Sequence, residues 1–183
     1  ILMAAVTQDG KALEYASEEL QNDKEIVKTA VTQSGEALQF ASQELRADRE
    51  IVKAAVTEYG SALYWASSED LLADKEIILL AVTHNGWELE SVSEELQSDR
   101  EIVLAAVTQN GDALYYASKA LQDDKKVVMA AVTNSGYALE YASKDLRADK
   151  EIVMAAVTED GNALRFASEQ LRWDIIRVAQ ATQ

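Results

Sequence analysis

Apolar residues recur along this chain in two closely spaced groups, and the pair of groups repeats along the sequence. In residues 99–123 the first group falls at i, i+1, i+4 and i+5, which is one face of an α-helix. The second group follows Gly111 and also fits one helical face. Each repeat is therefore predicted to contain two helical segments, built on Ile102, Val103, Ala106 and Val107 and on Ala113, Leu114, Tyr116, Ala117 and Leu121.

The glycines give the period of the repeat. They follow one another at intervals of 25 residues, with one interval of 26 from Gly60 to Gly86. An aspartate begins each complete repeat. These marks predict repeats at residues 1–22, 23–47, 48–73, 74–98, 99–123, 124–148 and 149–173, here numbered one to seven, and a partial terminal helix at 174–183.

Both ends of the first segment carry residues suited to helix boundaries. An aspartate N-cap accepts hydrogen bonds from free backbone N–H groups and faces the positive helix end. Calcium binding is the alternative role for these aspartates, but carboxylates one repeat apart cannot converge on one ion. Glycine in the left-handed conformation closes helices. We therefore predict N-caps at Asp23, Asp48, Asp74, Asp99, Asp124 and Asp149, and helix termination at Gly10, Gly35, Gly60, Gly86, Gly111, Gly136 and Gly161.

The second segment leaves two alternatives open. Ser118 falls inside it and suits a solvent-facing position in a continuous helix, or a cap that separates a stub from a one-turn or 3₁₀ piece. We favour a continuous or slightly broken helix. Because one repeat buries too few apolar side chains to fold alone, neighbouring repeats must share interfaces. The predicted fold is all-α, a right-handed α-solenoid of seven two-helix repeats, with α/3₁₀ alternation as a variant.

The repeated motif, D-[RK]-E-[IV]-V-x-x-A-V-T-x-x-G-x-A-L-x-[YFW]-A-S, covers essentially the whole chain. It resembles a tandem-repeat family known only as a domain of unknown function, which occurs in microbial and protist proteins. The resemblance implies an α-helical repeat array and implies no activity. A looser similarity is to the leucine-rich-repeat variant, in which α and 3₁₀ helices alternate, although this chain lacks the prolines usual there.

Composition narrows the classes of function. The formal net charge of −15 repels phosphate backbones, so nucleic acid is not an expected partner. No apolar stretch approaches the ~20 residues that span a bilayer, so no membrane partner is expected. The chain has no cysteine and no visible signal peptide, which favours an intracellular protein. With a single histidine, His84, and no converging catalytic groups, we expect no enzyme and no cofactor or metal.

Aromatic residues fall into two sets. One set recurs at a fixed position of the second segment, which predicts that it lies in the core: Tyr15, Phe40, Trp65, Tyr116, Tyr141 and Phe166. The other set lies at variable positions, outside the apolar stripe and among acidic residues. Because exposed aromatics are enriched at interface hot spots, the candidate partner-binding residues are Tyr59, Tyr64, Trp87, Tyr115 and Tyr137.

Repeat four departs from the pattern. Ser91 stands at the recurrent aromatic position, and Val92 replaces an alanine. A single-residue insertion lies just upstream, near residues 68–72. These differences predict a local irregularity of the stack at this repeat.

The favoured function is a protein–protein interaction scaffold whose acidic, aromatic-dotted face binds a peptide or a basic protein. It predicts that the candidate side chains line one continuous ridge or groove. The alternative is a structural spacer within a longer protein, and a nucleic-acid-binding helical repeat is the least favoured. Neither end carries a clear polar cap, so end-to-end self-association is a further prediction.

Overall fold

The computed structural model describes residues 1–181, and every regular element in that range is a helix. The α-helices are Leu2–Gln8, Glu18–Gln21, Lys24–Gln33, Arg49–Glu58, Glu69–Leu72, Lys75–His84, Arg100–Gln109, Lys125–Asn134, Lys150–Glu159 and Glu169–Ala181. The 3₁₀ helices are Gly10–Tyr15, Gly35–Phe40, Leu45–Ala47, Gly60–Trp65, Gly86–Ser91, Leu96–Ser98, Gly111–Tyr116, Gly136–Tyr141, Leu146–Ala148 and Gly161–Phe166. Repeats one to six therefore each contain an α-helix, a six-residue 3₁₀ helix and a short final turn, whereas repeat seven runs into the helix Glu169–Ala181. Among these residues no helix has the length and apolarity that crossing a bilayer requires.

The second segment is split, and it is not the continuous helix that we favoured from the sequence. In repeat five the 3₁₀ helix ends at Tyr116, and Ala117 is extended, with φ −66° and ψ 149°. The N–H of Ser118 then donates to the carbonyl of Gln97 in the preceding repeat, at 3.0 Å. Because this hydrogen bond satisfies the N–H that a continuing helix would have used, contact between repeats decides where the segment breaks.

The break recurs in both halves of the chain. Ser42 donates to the Gln21 carbonyl at 2.9 Å, and Ser143 donates to the Gln122 carbonyl at 2.9 Å. In these two repeats the serine hydroxyl also accepts from the backbone N–H three residues later, that of Leu45 for Ser42 and that of Leu146 for Ser143, both at 3.2 Å. Ser42 and Ser143 therefore each end one element, begin the next and join two repeats.

The glycines do not adopt the left-handed conformation, so that part of the sequence prediction is wrong: no described glycine has a positive φ. The residue before the glycine ends the α-helix instead, as Asn110 does with φ −145° and ψ 110°. Gly111 then begins the 3₁₀ helix. A Cβ at Gly111 would overlap the backbone carbonyl oxygen of Ala131 in repeat six and come within 2.9 Å of the Cβ of Ser135. The missing side chain therefore permits close packing of successive repeats.

The core lies between the α-helices and the 3₁₀ helices. In repeat five Ile102, Val103, Ala106, Val107 and Leu114 are fully buried. Because these positions recur every repeat, each repeat completes the core of its neighbour, as a quasi-one-dimensional array requires.

The chain divides into two compact units, Ile1–Glu88 and Leu89–Gln183. The division falls inside the 3₁₀ helix Gly86–Ser91, in the repeat for which the sequence predicts an irregularity. Within each compact unit the long helices of successive repeats contact one another, as in a helical repeat solenoid. The right-handedness of the stack stays a prediction.

The terminal helix begins earlier than predicted. It spans Glu169–Ala181, so the predicted boundary at residue 174 falls inside one helix, and Thr182 and Gln183 lie outside the described residues. Asp174 does not begin a helix, unlike the aspartates at the same position of repeats two to seven. Its carboxylate accepts from the amide of Gln170 at 3.1 and 3.2 Å. The bulky Trp173 also precedes it, where other repeats carry a smaller residue.

Candidate interaction surface

The variable positions of the repeat lie on one face of the 3₁₀ helices. A 3₁₀ helix has three residues per turn, so residues i and i+3 eclipse one another. The residue after the glycine and the residue three later therefore share a face, as Tyr137 and Glu140 do. The buried glycine and leucine share another, as Gly136 and Leu139 do. This geometry places four candidates on that outward face: Tyr64, Trp87, Tyr115 and Tyr137.

Exposure distinguishes the five candidate aromatics. Tyr64 and Tyr115 are 84% and 59% exposed, whereas Tyr59, Trp87 and Tyr137 are 41%, 44% and 37% exposed. Tyr59 lies apart from the outward face, because it is the C-cap residue of the helix Arg49–Glu58. Its ring centroid lies 6.2 Å from that of Trp65.

The recurrent aromatics are not in the core, contrary to the sequence prediction. Phe40, Trp65, Tyr116, Tyr141 and Phe166 are half-buried, and Tyr15 is 86% exposed. Each is the last residue of its 3₁₀ helix, beside the break, so its ring reaches the rim of the repeat interface. Burial, together with a hydrogen bond to the Glu90 carboxylate, raises the pKa of the Tyr116 phenol. These rings form a surface on which neighbouring side chains pack.

Tyr115 lies at the centre of an aromatic cluster in the second compact unit. Its ring centroid is 5.0 Å from that of Tyr116 and 5.2 Å from that of Tyr141 in the next repeat, and both pairs are edge-to-face. Edge-to-face geometry is favourable for aromatic pairs. The cluster therefore holds Tyr115 in place while more than half of its surface stays accessible.

A groove opens beside this cluster, between repeats five and six. Its volume is about 680 Å³, and Tyr115 and Tyr141 form its aromatic wall. Acidic and basic side chains also line it, in equal number: Asp123, Glu140, Asp145, Lys119, Lys144 and Arg147.

Tyr137 packs against the following repeat. Its ring centroid lies 5.8 Å from that of Phe166. The Arg165 guanidinium carbon lies 5.1 Å from the Tyr137 ring centroid and 4.5 Å from the Phe166 ring centroid. The candidates of the second unit thus lie on adjacent, contacting 3₁₀ helices, whereas Tyr59, Tyr64 and Trp87 belong to the first unit.

The aspartates have a second role that the sequence analysis missed. Each predicted N-cap aspartate lies at the start of a long helix. In repeat six, Oδ1 of Asp124 accepts from the N–H groups of Lys126 and Val127, at 2.9 and 3.1 Å. Its Oδ2 accepts from Nε of Arg100 in the preceding repeat, at 2.9 Å. One carboxylate therefore caps a helix and joins two repeats.

Equivalent ion pairs recur in both compact units. The Lys or Arg after one aspartate pairs with the aspartate that begins the next repeat: Lys24 with Asp48 and Lys125 with Asp149, at 2.7 and 2.8 Å, and Arg49 with Asp74 at 2.7 Å. We call these contacts, with the Arg100–Asp124 pair, the inter-repeat ion pairs. A basic residue after every one of these aspartates was the sequence signal that could have revealed them.

The repeats of this chain match a known protein family. The model of the family described as a domain of unknown function, DUF4116, matches the chain four times, at residues 1–46, 23–72, 74–122 and 124–172. The chain belongs to this family. No curated protein and no solved structure matches it significantly. Each family match spans about two repeats, and two overlap, so the 25-residue repeat is the smaller structural period of this family member.

The ion pairs of this family member shift the titration of their carboxylates. Arg49 lowers the pKa of Asp74, Arg100 lowers that of Asp124, and Lys125 lowers that of Asp149. Backbone N–H donors at the N-caps act in the same direction, and burial opposes both. The residues described include no group of three or more His, Cys, Asp or Glu side chains placed to hold a metal ion.

Proposed function

We propose that this chain is a non-catalytic protein–protein interaction scaffold that binds an extended peptide segment along the outward face of its 3₁₀ helices. The observation that carries the proposal is Tyr115, a tyrosine 59% exposed that is held edge-on by two other rings at the wall of a groove. A fixed aromatic side chain loses little conformational entropy when it binds. The acidic net charge of −15 favours a basic partner.

Selection from a random peptide library tests this proposal. We expect the chain to enrich peptides whose binding is weakened at least fivefold by Tyr115→Gln. Gln39 occupies the same position of repeat two, so the fold accommodates this residue. Tyr15→Gln is the control, since Tyr15 is an exposed tyrosine of the other compact unit and does not occupy a variable position of the outward face. Failure to enrich any peptide, or enriched peptides that bind Tyr115→Gln as tightly as wild type, would contradict the proposal.

The second candidate function is a structural spacer. The inter-repeat ion pairs and the serine hydrogen bonds favour it, because they join consecutive repeats independently of any ligand. A spacer tolerates substitution of its variable surface. If Tyr115→Gln and Tyr137→Gln together leave the activity of a parent protein unchanged, while loss of two whole repeats abolishes it, the spacer role is favoured.

A further inference from the structure

The second compact unit already contains one guanidinium bound to aromatic rings. Arg165 lies over both Tyr137 and Phe166, with its guanidinium carbon 5.1 and 4.5 Å from the ring centroids. A cation within about 6 Å of a ring centroid is attracted by the ring quadrupole. The outward face of these 3₁₀ helices therefore has the geometry to hold an arginine side chain.

The groove between repeats five and six offers the same components. Tyr115 and Tyr141 are its aromatic wall, and Tyr141 occupies in repeat six the position that Phe166, one of the rings under Arg165, occupies in repeat seven. The carboxylates of Asp123, Glu140 and Asp145 line it as well. Planar guanidinium groups both stack on aromatic rings and pair with carboxylates.

The cationic side chains of Lys119, Lys144 and Arg147 also line the groove, so an anionic ligand has to be weighed. The Nζ of Lys119 donates to Oε1 of Gln122 at 2.8 Å, so it is engaged within the protein. The Nε of Arg147 is buried and has no hydrogen-bond partner, but the same holds for Arg46 at the same position of repeat two. This is therefore a property of the repeat position and no sign of a ligand. The net charge of −15 further disfavours anions.

We propose that the groove between repeats five and six binds the guanidinium of an arginine in an extended peptide, with Tyr115 and Tyr141 as the aromatic contacts and Glu140 as a carboxylate partner. This inference rests on the proposed function and names the chemistry of the partner.

Four matched peptides test it against the whole chain. Each has a nine-residue Gly-Ser background with three arginines, three lysines, three citrullines or three glutamates, and binding is measured by calorimetry near physiological salt, where long-range charge attraction is largely screened. Citrulline keeps the shape of arginine and removes its charge. We expect the arginine peptide to bind at least tenfold more tightly than the citrulline peptide, and more tightly than the lysine peptide.

Variants locate the site. Tyr115→Gln is expected to weaken binding of the arginine peptide about three- to tenfold, and Glu140→Gln is expected to weaken it as well. Tyr15→Gln serves as the control and should leave affinity unchanged, because Tyr15 is an exposed tyrosine of the other compact unit and is not one of the candidate residues. Circular dichroism of each variant confirms that the fold is kept.

The outcomes separate this inference from the proposed function. Equal affinity for arginine and citrulline peptides, tighter binding of the glutamate peptide, or an arginine affinity unaffected by Tyr115→Gln overturns the arginine site. If library peptides still depend on Tyr115 in that case, the scaffold proposal stands. If neither the designed nor the library peptides bind, both proposals fail.

Discussion

At the scale of the residue, the glycines and aspartates act through their neighbours. Glycine is required at position 111 because the Ala131 carbonyl oxygen approaches closely, and not because the backbone has a positive φ. One carboxylate oxygen of Asp124 caps its own helix, and the other accepts a hydrogen bond from the Arg100 side chain. Both residues therefore depend on contact between repeats.

Substitution of Gly111 tests whether close approach or backbone conformation requires glycine. Gly111→Ala places a Cβ against backbone atoms that cannot move independently, so we expect the free energy of unfolding to fall by about 1–3 kcal/mol. Gly161 is the matched control, because nothing lies within 4 Å of a Cβ built there. Gly161→Ala should leave stability unchanged or raise it by up to about 1 kcal/mol.

Urea denaturation of the two variants measures this difference. Equal losses of stability at Gly111 and Gly161 would show that both positions need glycine for their backbone conformation. That result would refute the close-approach explanation.

At the scale of the element, a side chain in the turn that follows the 3₁₀ helix of repeat five forms hydrogen bonds with the end of that helix. Gln122 is the one polar residue of the described chain that is almost fully buried, at 4% exposure. Its Nε2 donates to the carbonyl oxygens of Leu114 and Tyr115, at 3.0 and 3.1 Å. These bonds supply donors to carbonyls at the end of the 3₁₀ helix, where the Leu114 carbonyl also accepts from the N–H of Ala117 at 3.2 Å.

Removal of this side-chain amide should weaken repeat five. Gln122→Leu keeps a similar volume but leaves buried carbonyl oxygens with fewer donors, so we expect a loss of about 1–2 kcal/mol in the free energy of unfolding. Gln39→Leu is the control: the exposed amide of Gln39 also donates to a backbone carbonyl, that of Glu36, and its loss should change stability by less than about 0.5 kcal/mol. Thermal or urea unfolding measures both. A Gln122→Leu variant as stable as wild type would mean that the amide does not hold the break in place.

At the scale of the whole molecule, the repeats of each compact unit are joined by the inter-repeat ion pairs, by serine hydrogen bonds and by a shared apolar core. The ion pairs are largely exposed, and isolated surface pairs contribute little to stability. Here they lie at helix N-termini, where a carboxylate also accepts backbone hydrogen bonds, so the aspartate titrates at lower pH than usual. That shift makes stability depend on pH.

The direction of this dependence follows from the lowered pKa of Asp149 in the folded chain. Its stabilising contribution is fully present above the pKa of an unfolded aspartate, about 4, and is lost as pH falls through the lower, folded value. Lys125→Gln removes the partner that lowers this pKa most. We therefore expect the stability difference between wild type and Lys125→Gln to be largest near pH 7 and to shrink towards pH 3.

Lys150→Gln controls for the change in net charge. Lys150 occupies the same repeat position but has no ion pair with the described residues, so its removal should give a smaller difference at pH 7 and a flatter pH dependence. Urea denaturation from pH 3 to pH 7 measures both variants. If both show the same pH dependence, self-repulsion of the acidic chain accounts for the effect and the ion pair does not.

The sequence determined the period, the helical class and the N-caps, because apolar spacing and capping are local properties that recur in each repeat. The tertiary structure alone decided where the second segment breaks, why glycine is required, and that the recurrent aromatics lie at the rim. The hydrogen bond of the Ser118 N–H and the space at Gly111 are set by adjacent repeats, and the Tyr116 phenol is hydrogen-bonded to Glu90 of the preceding repeat. The exposed face of Tyr115 beside a groove depends on the same contacts, since Tyr141 belongs to the next repeat. The local pattern thus determines where the helices of each repeat lie in the sequence. Contacts between repeats determine which side chains lie at the surface.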